Sequence, residues 1–167
     1  MEIKEKIASE ESLQMVVFRV GEDYLSCPIS QVREIIQLEE VTKVPSTSEK
    51  IRGIINRRGE IITVIDLPKV LDLDIELDEK DSQLMILFGE NLGVMASEVT
   101  EIPTVSTSDI EPPSEALETP VNKKFLEGIA KHNDRLVLLT DLVSMVKNLS
   151  EESLEKVEEF EKEHPIE

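Results

Sequence analysis

Few residues in this chain have the chemistry to act on another molecule. His132 and His164 are the only histidines and Cys27 is the only cysteine. His132 falls in a polar turn and His164 in the terminal Glu163-His164-Pro165 stretch, and no nucleophile, base and orienting group come together around either. Glycine-rich phosphate loops, Gly-x-Ser-x-Gly and His-Glu-x-x-His are all missing. One run imitates a metal loop: Asp72, Asp74, Glu76 and Asp78 alternate with Leu73, Ile75 and Leu77. A calcium loop begun at Asp72 needs Gly at its sixth position and Glu at its twelfth, where this chain has Leu77 and Gln83. The alternation better suits a half-exposed strand or linker, with a calcium-binding module as the minor alternative. The expectation is therefore a protein with no catalytic residue, cofactor or metal. The remaining candidate is Asn56-Arg57-Arg58-Gly59, which reads as a hairpin turn carrying two guanidinium groups at its tip.

Composition narrows the class further. Apolar residues make up 40% of the 167, enough for a core, and aromatics only 3%, so that core must be built from Ile, Val and Leu. The net charge of −18 argues against nucleic acid, which calls for clustered Lys and Arg, and against an anionic membrane surface. No apolar run approaches the roughly 18 residues of a membrane span, and residues 1–7 lack a signal-peptide core. A cytoplasmic protein without direct membrane contact is expected. The lone Cys27 excludes an intramolecular disulfide and reads as a buried, inert thiol.

The elements that position the basic tip come in two copies, at residues 14–71 and 83–146. Ser30-Gln31-Val32-Arg33-Glu34-Ile35 reappears as Ser97-Glu98-Val99-Thr100-Glu101-Ile102, 67 positions later (97 − 30). Gly53-Ile54 and Asp66-Leu67 reappear as Gly128-Ile129 and Asp141-Leu142 at an offset of 75 (128 − 53), so the second copy carries an insertion of 8 residues (75 − 67). In the first copy Met15–Phe18 and Tyr24–Ile29 read as strands joined at Gly21-Glu22-Asp23. Ser30 then caps a short helix, Gln31 to Gln37, with Val32, Ile35 and Ile36 on one face. Ile51–Leu67 is the most strand-like passage, rich in stiff β-branched side chains, with Asp66 capping a helix that has Pro68 in its first turn. The second copy gives strands at Leu84–Phe88, Leu92–Met95 and Leu136–Leu139, a helix capped by Asp141, and an irregular loop across Pro103–Pro120. The domain boundaries are a mobile tail at 1–12, a first β subdomain at 13–82, a second at 83–149 and an acidic helix or tail at 150–167. The order of elements leaves open a crossing of terminal strands between the subdomains. Units this small are marginal alone, so the two should share a buried contact.

Val32-x-Glu34-Ile35, Val44-Pro45 and the run from Ile51 to Leu67, Ile-Arg-Gly-Ile-Ile-Asn-Arg-Arg-Gly-Glu-Ile-Ile-Thr-Val-Ile-Asp-Leu, resemble the CheW family of chemotaxis coupling proteins over residues 13–147. The resemblance implies a mainly β fold of two SH3-like five-stranded barrels with short helices. It also implies a non-catalytic scaffold, monomeric when isolated. Such a scaffold couples the regulatory domain of the histidine kinase CheA to the cytoplasmic tip of methyl-accepting chemoreceptors. A non-flagellar chemosensory pathway is the alternative setting. The chain departs from the family pattern at Arg57, where Leu is usual, at Thr63, where Pro is common, and at Ser97, where Asp is frequent.

The resemblance marks Val32, Glu34, Gly53, Arg58 and Gly59 as partner-contacting positions, and Asn56 and Arg57 share the same hairpin. Val32 on an apolar face reads more readily as core, and Asn56 and Gly59 have a second reading as turn-builders. The two copies sharpen the choice. Gly53, Asp66 and Leu67 recur, so the backbone plan needs them, whereas Asn56-Arg57-Arg58-Gly59 is replaced by Lys131-His132-Asn133-Asp134. The first tip therefore carries something beyond the fold, and a Glu34–Arg58 pair is expected to orient its guanidinium.

Overall fold

The computed structural model describes residues 2–45, 47–89, 91–147, 149, 159, 162 and 163. Its strands are β1 (Ser12–Val20), β2 (Asp23–Pro28), β3 (Val32–Gln37), β4 (Ile51–Arg57), β5 (Glu60–Asp66), β6 (Gln83–Leu87), β7 (Leu92–Ala96), β8 (Glu98–Glu101), β9 (Thr104–Ser106), β10 (Ile110–Glu111), β11 (Leu126–His132) and β12 (Arg135–Thr140). They form two sheets. One has five strands in the order β3-β6-β7-β5-β4. The other has seven, in the order β10-β11-β12-β2-β1-β8 with β9 also on β1, where five were expected.

The two copies do not each make one sheet. The β1–β2 hairpin of the first copy lies in the seven-stranded sheet beside β12, with Leu25 opposite Leu138 in parallel register. The β6–β7 hairpin of the second copy lies in the five-stranded sheet beside β5, with Val64 opposite Gly93, again parallel. Each copy thus lends its first hairpin to the other, so a boundary at 82/83 cuts through both sheets. This exchange also explains the continuous apolar runs, since the lent strands are covered on both faces. In β1, Leu13 and Met15 face a core with Val105, Ala130 and Leu139, while Val16, Phe18 and Val20 face the other way. In β6, Leu84 and Ile86 face a core with Ile62, Val64 and Met95, while Met85 and Leu87 turn to the shared core between the sheets.

Three expectations are corrected. The tail expected at 1–12 is, among the described residues, built on helix α1 (Ile3–Ser9), which buries Ile3 against Leu13, Val105 and Ile110. The helix expected from Gln31 to Gln37 is instead strand β3, Val32–Gln37, preceded by a single 3-10 turn at Ile29–Gln31. A register shift between Val32 and Glu34 leaves Arg33 bulged, so Val32 and Ile35, three apart, reach the same core. That spacing reads as helical in sequence. The Pro103–Pro120 loop holds β9 and β10 between its prolines, paired to β1 and β11. The prolines mark the ends of these short edge strands rather than an absence of structure.

Other elements stand where the pattern placed them. Asp66 caps helix α2 (Leu67–Val70), accepting from the Lys69 amide, with Pro68 in the first turn. Asp141 accepts from the Ser144 amide at 3.0 Å at the start of a helical stretch, 142–147. Cys27 is fully buried, and desolvation, with the Asp141 carboxylate second, pushes its thiol pKa upward. The acidic helix at 150–167 lies outside the described residues, apart from Glu159, Lys162 and Glu163, which are helical.

Candidate functional site

The site is built where the two ends of the five-stranded sheet meet. β3 and β4 are its terminal strands. The chain leaving β3 lies across β4, with Thr42 and Ile54 exchanging backbone hydrogen bonds of 2.9 and 2.8 Å. This crossing explains Gly53. A Cβ there would stand 2.2 Å from the Thr42 carbonyl oxygen, and the residue has φ 151°. Gly128 recurs for a related reason, with Ile110 and the Glu111 carbonyl of β10 packed against it.

Side chains complete the closure. Glu34 on β3 receives the Arg57 guanidinium of β4 through both Nε and Nη2, each 2.7 Å from Oε1. Beside it Arg33 Nη2 donates to Glu60 Oε2 at 3.1 Å. The Arg58 guanidinium is only 3.9 Å from the other Glu34 oxygen, and its side chain is 75% exposed. The expected Glu34–Arg58 pair is therefore a contact of the second rank. Arg57 is the principal partner, which leaves the Arg58 charge facing solvent. Arg33 and Glu60 were not singled out in the sequence, although opposite charges on neighbouring strands of one barrel are a usable signal.

The turn itself has two central residues, Arg58 and Gly59, at φ 53° and 83°. Positive φ at both is the signature of a type I′ turn, which favours Asn or Gly first and Gly second. The Gly59 amide donates to Asn56 Oδ1 at 3.0 Å, so Asn56 braces the turn from inside. Glu34, Asn56, Arg57, Arg58 and Gly59 thus come together. Val32 does not join them: it is 8% exposed in the shared core with Leu87 and Leu142. Gly53 likewise faces the Thr42 crossing.

The second copy repeats the closure with other chemistry. Glu101, equivalent to Glu34 (34 + 67), lies 3.2 Å from His132 Nε2, equivalent to Arg57 (57 + 75). Asn133, equivalent to Arg58 (58 + 75), donates to both Glu101 oxygens at 3.4 and 3.3 Å. His132, expected in a turn, ends β11 and is half-buried. The sibling turn also has positive φ, 51° at Asn133 and 60° at Asp134. Asn suits that backbone and Arg does not, because a long L side chain gains nothing locally in the left-handed region.

The acidic run behaves as an anchored linker. Leu73 and Leu77 are buried while Asp72, Asp74, Glu76 and Asp78 are exposed. Glu76 pairs with Lys69 at 2.8 Å, and Asp78 accepts from the Lys80 amide at 3.0 Å. Among the described residues no group of three or more His, Cys, Asp or Glu side chains is placed to hold a metal. Nor is any described helix long and apolar enough to cross a membrane.

Residues 14–150 match the CheW-like domain family. The chain is 30% identical over 141 residues to the chemotaxis protein CheW of Helicobacter pylori, covering 83% of this chain and 84% of that one. It is 29% identical to the CheW of Bacillus subtilis, covering 84% and 90%. The crystal structure of the scaffolding protein TtCheW from Thermoanaerobacter tengcongensis superposes with a TM-score of 0.69 at 36% identity, covering 78% of this chain and 84% of that one. The chain belongs to the CheW-like family and is a non-catalytic adaptor of chemotaxis signalling.

Proposed function

We propose that this protein works in the cytoplasm, bridging the signalling tip of methyl-accepting chemoreceptors to the regulatory domain of the kinase CheA, with the β4–β5 tip as a contact surface. The observation that carries this reading is Arg58. It occupies a left-handed position where the sibling turn has Asn, its contact with Glu34 is long at 3.9 Å, and it is three-quarters exposed. Backbone strain retained at an exposed cation supports a role outside the fold. An acidic side chain on a partner is the group it suits, and Glu34 with Arg57 sets the platform it stands on. Bridging by equilibrium binding needs only about 1–3 kcal/mol of coupling to change kinase output five- to 150-fold.

Co-sedimentation with receptor signalling fragments and CheA, followed by receptor-stimulated phosphorylation, tests the proposal. Arg58→Glu and Arg58→Asn should both lose stimulation with an unchanged circular dichroism spectrum. Arg58→Asn should also raise unfolding stability by roughly 0.5 kcal/mol, because Asn fits the turn. Normal stimulation by both variants would remove Arg58 from the contact surface.

A further inference from the structure

We propose that Gln31 is a positioning residue that fixes the rotation of one β subdomain against the other, and so the relative placement of partner contacts on each. Gln31 ends the short turn where the chain passes from the seven-stranded to the five-stranded sheet. Its carbonyl accepts from the Phe88 amide at 3.0 Å, which extends the β3–β6 ladder by one residue. Its side chain reaches to the other subdomain. Nε2 donates to Asp141 Oδ1 at 2.8 Å, and Oε1 accepts from the Leu142 amide at 3.0 Å and the Val143 amide at 3.5 Å. Both ends of one amide are thus engaged by the N-terminus of the helical stretch that follows β12.

The pairing occurs on one side of the duplicated fold alone. Glu98, equivalent to Gln31 (31 + 67), turns to Arg19 at 3.7 Å, and Asp66, equivalent to Asp141 (141 − 75), lies 3.6 Å from Arg52. The apolar contact between the sheets, with Val32, Leu87, Leu142 and Val146, holds them together but is non-directional and tolerates sliding. A donor–acceptor pair prescribes both distance and angle. Fixed orientation is what lets binding on one subdomain alter affinity on the other. The consequence for partners rests on the bridging reading above; the positional role does not.

Spin labels at Glu39, two residues beyond β3 of the five-stranded sheet, and Lys131, on β11 of the seven-stranded sheet, are both exposed and report the rotation by double electron–electron resonance; Cys27 is buried and stays unlabelled. Gln31→Glu keeps the side-chain shape and sets a carboxylate against Asp141, and the distance distribution should broaden or shift. Adding Asp141→Asn reverses the donor and acceptor while keeping a capping oxygen, and should restore the wild-type distribution. Gln31→Leu, which removes both bonds without adding charge, gives the same broadening if the glutamate variant does not fold. With receptor fragments and CheA, each binary affinity should hold within about twofold. The effect of one partner on affinity for the other should fall about fivefold or more. A Gln31→Glu distribution that overlays the wild type, or a double variant as broad as Gln31→Glu, overturns the positional role. Failure of the wild type to bind either partner overturns the bridging reading alone, because the spin-label comparison needs no partner.

Discussion

The closure of the five-stranded sheet can be measured as a pair energy. Glu34→Gln, Arg57→Gln and the double variant form a cycle around two side chains that are 27% and 33% exposed. Two donors share one oxygen at 2.7 Å. Unit charges about 4 Å apart interact by roughly 1 kcal/mol in water and roughly 4 kcal/mol at a surface dielectric near 20. Ordering two long side chains and removing part of their hydration offset much of that gain. The coupling should therefore be about 1 kcal/mol, at the upper end for a surface pair. Urea unfolding with linear extrapolation reads it, and the slope should stay constant across the four proteins. The same cycle with Arg58 should show no coupling, since its closest approach is 3.9 Å and its side chain is 75% exposed. In 1 M salt the Arg57 coupling should shrink as the charges are screened. Coupling below about 0.3 kcal/mol for Glu34–Arg57, which is within ordinary additivity, would refute the closure argument. So would a larger coupling for Arg58 than for Arg57.

Two further outcomes follow from the same geometry. Gly53→Ala should cost about 3 kcal/mol or more, because its Cβ meets the Thr42 backbone, whereas Gly59→Ala should cost about 1–2 kcal/mol, from positive φ in open space; equal losses in urea unfolding would contradict both assignments. Burial holds the Asp66 carboxyl above its ordinary 3.8, with the Lys69 amide and Arg52 opposing the shift. The folded chain therefore binds this proton more tightly than the unfolded chain, and the stability Asp66 contributes falls as pH rises from about 3.8 through the folded value. Against Asp66→Asn, whose amide still caps α2, the wild type should lose ground through that window and hold a constant difference above it; a difference independent of pH would reject the assignment.

Much of this architecture is legible in the amino-acid order, because it rests on local chemistry. β-branched residues mark β1 and β5, an apolar run marks β6, Asp66 and Asp141 mark helix starts, and Gly59 marks a turn that needs positive φ. The duplication is visible in two offsets, and family membership is carried by the run from Ile51 to Leu67. The basic tip also stands out along the chain, since the residue types of Asn56, Arg57, Arg58 and Gly59 do not recur at the equivalent positions of the second copy.

What the chain order did not disclose is where each strand finds its neighbour. The bulge at Arg33 gave β3 a helical spacing, because an extra residue in a strand moves every later side chain to the other face. The lending of hairpins between copies shows in the sequence only as continuous apolar runs, and a strand buried on both faces looks the same whichever sheet receives it. The choice of Arg57 over Arg58 as the partner of Glu34 depends on which way each side chain leaves a two-residue turn, and only the closed sheet settles that. Propensity and patterning act over a few residues and are written along the chain; pairing between segments separated by dozens of residues is selected by the packing of the whole.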